Sequence, residues 1–534
     1  SKKGVAKIFS KNFKDKIKEL IDFEGDPLDI RPINIESDFS GVRVHTENTE
    51  RKYPTTKTNL RETALFDRLV DDVEVVGVKA PPNFTTFGKD TLNKIASKSF
   101  KTIPLIPTSE IEFGKKCIKE FLVDFDDISD FEIIKGGNGL SSLNKDSVNG
   151  LGYEKDKNLY IDFVEGKFTS EFSEKLKDFE ERAKRDSIDI NDVCFYEAFK
   201  DELRPMEKVE KPRSFRIAPL HHLILCKKYM GKLLVHVKKN MWINNIAIGI
   251  NPYTDWDELY SRMKSCEYVF DGDIGNWDGG CAAQVQDAIK EIVLEKYKGN
   301  NKESLKVLLE SMIRTYVNVG NRSYLTTHSM PSGCWVTAFF NSLYNRFITS
   351  MVIFRESTKR GIKPSFSLFM KATDFVLGDD KLCGGPLELK EIFNAYTVRD
   401  YFNSLGMKYT DGEKGEITSL AKPLNEVCFL KRTFKFHHEM SKIVGPLTKN
   451  TIFNSLRYYD SRKDYDTVMG GKLTAFQYEM FLHEDPDTVN RILANAKEEN
   501  IYFIEYGNDH IRKSMDNKDT YTFIQTIQDK FFNF

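Results

Sequence analysis

Cysteine is sparse in this sequence. Among 534 residues there are eight (Cys117, Cys194, Cys226, Cys266, Cys281, Cys334, Cys383 and Cys428), and no two form a CxxC pair. Such scatter reads as reduced thiols in a cytosolic compartment, with no structural zinc expected. Net charge is nearly missing too: 79 basic residues offset 80 acidic ones, leaving −1. That excludes a protein that coats nucleic acid by bulk electrostatics, so any polyanion site must be local. No apolar run reaches the length of about 18 residues that a membrane-spanning helix needs, and the Lys-rich stretch Ser1 to Lys18 lacks the apolar core of a signal peptide. The expectation is a soluble chain that is not secreted and has no direct membrane anchor. Repeats at solenoid spacing and low-complexity segments are also missing. The chain begins at Ser1 and not at Met, as a segment released from a precursor would, although an engineered start would look the same.

Apolar material is plentiful, with 40% hydrophobic residues including 40 Phe and 22 Tyr. A chain this long exceeds one growing core, so about two to four subdomains are expected. Residues 1–110 have weak periodicity and contain Lys79-Ala80-Pro81-Pro82-Asn83, which reads as long loops crossing a surface. From Cys266 to Arg432, short apolar runs ending in Asp or Gly alternate with helical patterns, giving α+β character. The last hundred residues read as helical. Asp485 is suited to cap a helix with Pro486 in its first turn, and Val489, Ile492, Leu493 and Ala496 then recur on one face.

Two acidic segments carry the candidate chemistry. Cys266-Glu-Tyr-Val-Phe-Asp271-Gly-Asp273-Ile-Gly-Asn-Trp-Asp278-Gly-Gly280 reads as a strand running into a glycine-rich turn. Asp374-Phe-Val-Leu377-Gly378-Asp379-Asp380-Lys381-Leu-Cys383 reads as a hairpin with carboxylates at its apex. Mg²⁺ prefers oxygen ligands and keeps coordination positions for phosphate and water, so it needs few carboxylates on rigid supports. If Asp273 and Asp379 face each other, two ions about 3.5–4 Å apart could activate a 3′-hydroxyl and stabilise a leaving pyrophosphate. A lone Gly-Asp-Asp is weak, since a chain this long contains one by chance roughly one time in ten. Order and context strengthen it.

Between these segments, Ser332 and Gly333 precede an apolar helical run in which Thr337, Asn341 and Asn345 share one face. Buried amides need partners, because leaving one unpaired costs about 1–3 kcal/mol. A ribose is one candidate partner, and neighbouring backbone is the other. Upstream, Lys200 to Pro219 mixes six basic and four acidic residues, suited either to a solvated face or to gripping a triphosphate through Lys200, Arg204, Lys208, Lys211 and Arg213.

Taken in order, these segments resemble the RNA-dependent RNA polymerases of picornaviruses and their insect and plant relatives (Picornavirales), over about Lys200 to Phe434. Lys200 to Arg213 is similar to the cationic motif that grips the incoming triphosphate. Asp273 and Asp278 are similar to the first palm motif, which binds metal and senses the ribose 2′-hydroxyl. Ser332, Gly333, Thr337 and Asn341 resemble the motif that positions template and selects ribonucleotides, and Asp379 and Asp380 the second acidic motif. Gly406 to Lys414 resembles the loop whose lysine protonates pyrophosphate, and Phe429-Leu430-Lys431-Arg432 the primer-gripping turn. Ser147 to Tyr153, with Ser147 and Gly150, matches only loosely the motif at the mouth of the template channel. The chain departs from the family in having Leu377 where Tyr is common before Gly-Asp-Asp, and Ser1 where Gly is usual.

The resemblance implies a closed right hand of α+β class, with fingers, a palm built on an RRM-like antiparallel sheet with helices, and a helical thumb. The expected divisions are 1–229 fingers, 230–287 palm, 288–325 a fingers insertion, 326–434 palm again and 435–534 thumb. Asp273, Asp379 and Asp380 would serve two Mg²⁺, with Mn²⁺ able to substitute, and Lys414 would be a general acid. Gly333, Ser147, Gly150 and residues 429–432 would touch RNA. The implied partners are template and primer RNA, nucleoside triphosphates, a genome-linked protein primer and other viral replication proteins. The implied location is the host cytoplasm, at membrane-associated replication complexes reached through partners. Two rival readings are a reverse transcriptase, which also pairs palm aspartates, and a catalytically inactive RNA-binding scaffold.

Overall fold

The computed structural model describes residues 46–52, 57–73, 77–84, 103–331, 333–412 and 414–527. Two four-stranded sheets organise the molecule. Their strands in chain order are β1 (Thr46–Lys52), β2 (Phe195–Phe199), β3 (Ser214–Ile217), β4 (Tyr268–Ile274), β5 (Tyr316–Leu325), β6 (Thr373–Leu377), β7 (Asp380–Gly385) and β8 (Tyr409–Thr410). The first sheet has the order β1-β5-β2-β3, with β5 and β2 parallel and the other pairs antiparallel. The second has the order β6-β7-β4-β8 and is antiparallel throughout.

Strand β4 reads Tyr-Val-Phe-Asp-Gly-Asp-Ile and is buried at six of its seven positions. A strand covered on both faces reads as a continuous apolar run, and here that run is broken only where the carboxylates sit. Of the helices that matter for the site, α1 (Leu220–Lys239) follows β3 directly, and α2 (Thr337–Lys359) lies against β6. Helix α2 is buried without interruption from Phe339 to Ile353, so the polar side chains it carries must find partners inside the protein.

The C-terminal part is mostly helical, as its periodicity predicts. It opens with a short hairpin of Lys435–His437 and Lys442–Val444. There follow α3 (Lys449–Arg457), α4 (Tyr465–Phe481), α5 (Pro486–Glu498), α6 (Asn508–Met515) and α7 (Lys518–Ile527). The Asp485 side chain accepts the Thr488 N–H at 3.2 Å at the start of α5, and Ile492, Leu493 and Ala496 are buried.

The described part of residues 1–110 departs from the surface-loop expectation. Leu65 and Leu69 are fully buried among the C-terminal helices, and Leu60–Glu62 pairs with Tyr458–Asp460. Lys79–Ala80 pairs with Arg204–Pro205. Such long-range partners leave no mark in local periodicity, which is why composition alone reads the segment as loop. Among the described residues, no helix is long and apolar enough to cross a membrane.

Candidate active site

Leu377 pairs with Asp380, which leaves Gly378 and Asp379 as a two-residue loop between β6 and β7. Gly378 has φ +61°, the left-handed geometry that such tight hairpins require of their first loop residue. Helix α2 supports the loop from below. Ser342 Oγ accepts the Gly378 N–H at 2.9 Å, and the Asn345 amide donates to the carbonyls of Gly378 at 3.1 Å and Asp380 at 3.2 Å. Beneath them the Lys381 amine is fully buried. It is held by Asp374 at 2.7 Å, Asn345 Oδ1 at 3.1 Å and Thr349 Oγ1 at 2.5 Å. The register that pairs Lys381 with Gly272 brings Asp379 and Asp380 to the same end of the sheet as Asp273.

Asp379 and Asp380 both sense the charge of Asp273. Burial first, then the negative charges of Asp273 and Asp278, pushes the Asp379 carboxyl up to about 6. Asp380 is pushed up to about 8 by burial, with Asp379 and Asp273 adding to it, even though its oxygens accept the N–H groups of Lys381 and Leu430, each at 2.8 Å. Burial raises Asp273 as well, opposed by the positive charges of Lys414 and Lys208. Like charges gathered at one place favour the protonated form of each, and such crowding is found where a cation is meant to sit. The donor set is all carboxylate oxygen, which suits Mg²⁺ or Mn²⁺.

A row of cations faces the acids. Arg213 follows the turn that joins β2 to β3 and is held by Glu202, with Nη2 to Oε2 at 2.7 Å, while its charge is felt by Asp379 and Asp278. The Lys200 N–H donates to the Arg213 carbonyl at 2.8 Å, and its amine lies 5.7 Å above the Phe215 ring. Arg204 donates to the Lys211 carbonyl at 3.2 Å. Burial lowers Lys208 and Lys431, and neighbouring cations lower both further: Lys414 and Arg204 at Lys208, Arg213 and Lys414 at Lys431. Lys79 belongs to the same group, brought down to about 8 by burial and then by Lys431 and Lys414. Sequence reading missed it, because its neighbours lie more than a hundred residues away. Lys211 is exposed, and its side chain is not among the groups that perturb the acids.

Asp271, two residues before Asp273, is 1% exposed and accepts three donors: Gly412 N–H at 2.9 Å, Cys428 N–H at 2.8 Å and the Lys422 amine at 3.2 Å. It thereby fixes the loop of Lys414, which has φ +67°, and the start of the 429–432 turn onto strand β4. In that turn Leu430 and Lys431 both have positive φ, and the Leu430 N–H reaches Asp380. Lys431 is solvent-accessible, but Phe429 and Leu430 are buried. Arg432, expected on RNA, is 0% exposed and pairs with Glu479 of α4 at 2.8 and 2.9 Å. That burial assigns it to holding the turn against the C-terminal helices.

The polar stripe finds its partners within the protein. The Thr337 hydroxyl lies 2.8 Å from the carbonyls of Pro331 and Cys334, Asn341 Oδ1 accepts the Trp277 indole N–H at 2.7 Å, and Asn345 grips the hairpin. No bound ribose is required to satisfy it. Asn341 thus bonds the neighbour of Asp278 and not Asp278 itself. Gly333 packs so closely that a Cβ there would stand 1.6 Å from the Arg216 carbonyl oxygen. Ser332 lies outside the described residues. Ser147 bonds Lys157 at 2.7 Å, and Gly150, at φ +80°, lies against the Ala218 carbonyl; neither is drawn into the acidic cluster.

A sequence profile described as viral RNA-dependent RNA polymerase matches residues 106–495. The chain belongs to that family. It is 31% identical over 300 residues to the replicase polyprotein of Cricket paralysis virus, covering 52% of the chain and 17% of the polyprotein. It is 28% identical over 292 residues to the RNA1 polyprotein of Tomato ringspot virus, covering 54% and 13%. The chain thus spans less than a fifth of the polyproteins it matches. A solved Sicinivirus 3Dpol RNA-dependent RNA polymerase superposes with a TM-score of 0.75 at 16% identity, over 89% of this chain and 98% of that one. The architecture is therefore the α+β right-hand polymerase fold.

Proposed function

We propose that this chain copies an RNA template into RNA, extending an RNA or protein-linked primer. One observation carries the reading: carboxylates from two strands come together, Asp273 on β4 raising the proton affinity of Asp379 on the β6-β7 loop, while the pair faces Arg213, Lys208, Lys414 and Lys431. An acidic pair opposite a cationic row matches a nucleoside triphosphate bound through divalent metal. Two Mg²⁺ ions held by Asp273 and Asp379 would supply Lewis acidity at the 3′-hydroxyl and at the leaving pyrophosphate. Asp380 supports that site through its two backbone bonds. Arg213 and Lys208 neutralise triphosphate charge, and the planar Arg213, fixed by Glu202, has the geometry for bidentate contact. The fingers are assigned to residues 1–229 and 288–325, the palm to 230–287 and 326–434, and the thumb to 435–534.

The decisive assay combines the protein with a primed RNA template, labelled nucleotides and Mg²⁺. Template-directed extension supports the proposal. DNA made from the same template would indicate a reverse transcriptase, and RNA binding without extension a scaffold. The same assay with deoxynucleotides tests ribose choice: Asn341→Ala, which releases the Trp277 indole beside Asp278, should narrow the preference for ribonucleotides, and an unchanged ratio would remove Asn341 from positioning that acid.

Lys414, exposed and close enough to pull down the Asp273 carboxyl, is proposed as the general acid toward pyrophosphate. Lys414→Leu should slow elongation at saturating nucleotide by about a hundredfold or more. Wild-type speed in a quench-flow measurement would end the assignment.

The acids also predict a pH dependence. Both Asp379 and Asp380 hold their protons more tightly in the fold than at the ordinary carboxylate value of 3.8. Their contribution to stability is therefore full below about pH 4 and is lost as pH rises through about 6 and then about 8. A divalent cation takes the place of the protons, so the rise in melting temperature on adding Mn²⁺ should be larger at pH 8 than at pH 5.5. Equal shifts at both pH values would contradict cation binding at these carboxylates.

A further inference from the structure

Away from the carboxylates, the chain gathers a second group of metal-ligating side chains. His222 and Cys226 lie one turn apart on α1, and Cys334 follows Gly333 just ahead of α2. Their ligand atoms all lie within 4.8 Å of one another. Cys226 Sγ is 3.5 Å and Cys334 Sγ 4.0 Å from His222 Nδ1. A tetrahedral zinc ion, with Zn–S near 2.3 Å and Zn–N near 2.0 Å, holds its nitrogen and sulfur ligands about 3.6 Å apart. The Met312 thioether is 3.1 Å from Cys334 Sγ and completes a soft lining.

Hydrogen bonding fixes the histidine in the ligating form. Ser311 Oγ donates its proton to the Leu308 carbonyl at 2.6 Å, so toward His222 Nε2, 2.9 Å away, it can only accept. The ring therefore carries its proton on Nε2 and turns the Nδ1 lone pair toward both sulfurs. An outer hydrogen bond on the far ring nitrogen is the support that metal-bound histidines have.

We propose that His222, Cys226 and Cys334 bind one Zn²⁺. Binding releases two thiol protons, and Zn²⁺ with two thiolates and a neutral imidazole has no net charge, which a site at 0%, 0% and 8% exposure tolerates. Monovalent copper would leave a buried negative charge. The ion would staple Gly333 and Cys334, just ahead of α2, onto the helix that follows β3, where Gly333 also bridges Ile217. It acts on the frame of the site and takes no part in the chemistry at Asp273 and Asp379.

The test uses the untagged full chain. Elemental analysis should find about one zinc per chain, and the zinc-stripped protein reloaded with Co²⁺ should show sulfur-to-metal charge transfer with tetrahedral d–d absorption. Cys226→Ser should lose the absorption, and Cys266→Ser, at a cysteine outside the cluster, should keep it. The wild-type measurement decides the matter even if the first variant does not fold. No cobalt spectrum in the wild type, or a Cys226–Cys334 disulfide recovered in peptides, would overturn the proposal.

Discussion

Asp379→Asn should reduce single-turnover nucleotide incorporation at least about a thousandfold, the equivalent of roughly 4 kcal/mol of lost charge stabilisation. It should do so without lowering the melting temperature of the metal-free protein. The two outcomes share one cause. Asp379 ionises against burial and against the charges of Asp273 and Asp278, which is why its carboxyl sits near 6. A neutral amide keeps the shape, relieves the repulsion and removes the ligand. Function falls while the fold is untouched or steadier, the trade-off expected at a strained site. A rate within tenfold of wild type would place the chemistry elsewhere.

Arg432→Met should destabilise the fold by about 3–5 kcal/mol, because removing one partner of a buried ion pair leaves the other uncompensated. Glu479 would then stand at 0% exposure with, among the described residues, the Tyr253 hydroxyl at 2.7 Å left to satisfy it. Replacing both residues, Arg432→Met with Glu479→Met, should recover much of the loss. Urea denaturation of the three variants measures this. Unchanged stability in the single variant, together with weakened RNA binding, would restore Arg432 to the RNA-contacting role that its sequence neighbourhood suggests.

The contrast between these two residues marks how far the sequence could be read. Asp273 and Asp379 announce themselves because an acid at the end of an apolar strand is anomalous locally, and Gly378 because a two-residue loop has one cheap solution. The cap and apolar face of the helix after Asp485 are local signals of the same kind. Arg432 looks from its neighbours like a surface cation. Its partner lies 47 residues on, in a helix that periodicity detects but cannot orient. Thr337, Asn341 and Asn345 were visible as a stripe, but whether backbone, indole or ribose satisfies them depends on elements that meet only in the fold. The same holds for Lys79, whose cationic company comes from the other end of the chain, and for His222 and Cys226, which meet Cys334 more than a hundred residues later. Spacing rules find metal sites built within one motif and pass over those assembled by tertiary packing.

The carboxylate of Asp271 fastens three separate stretches, at residues 412, 422 and 428, to the strand that carries Asp273. Parts tied to one post cannot drift independently. A displacement of Asp273 along its strand carries with it the loop that bears Lys414 and the turn that supports Asp380. One buried side chain thus sets the relative alignment of Asp273, Lys414 and Asp380.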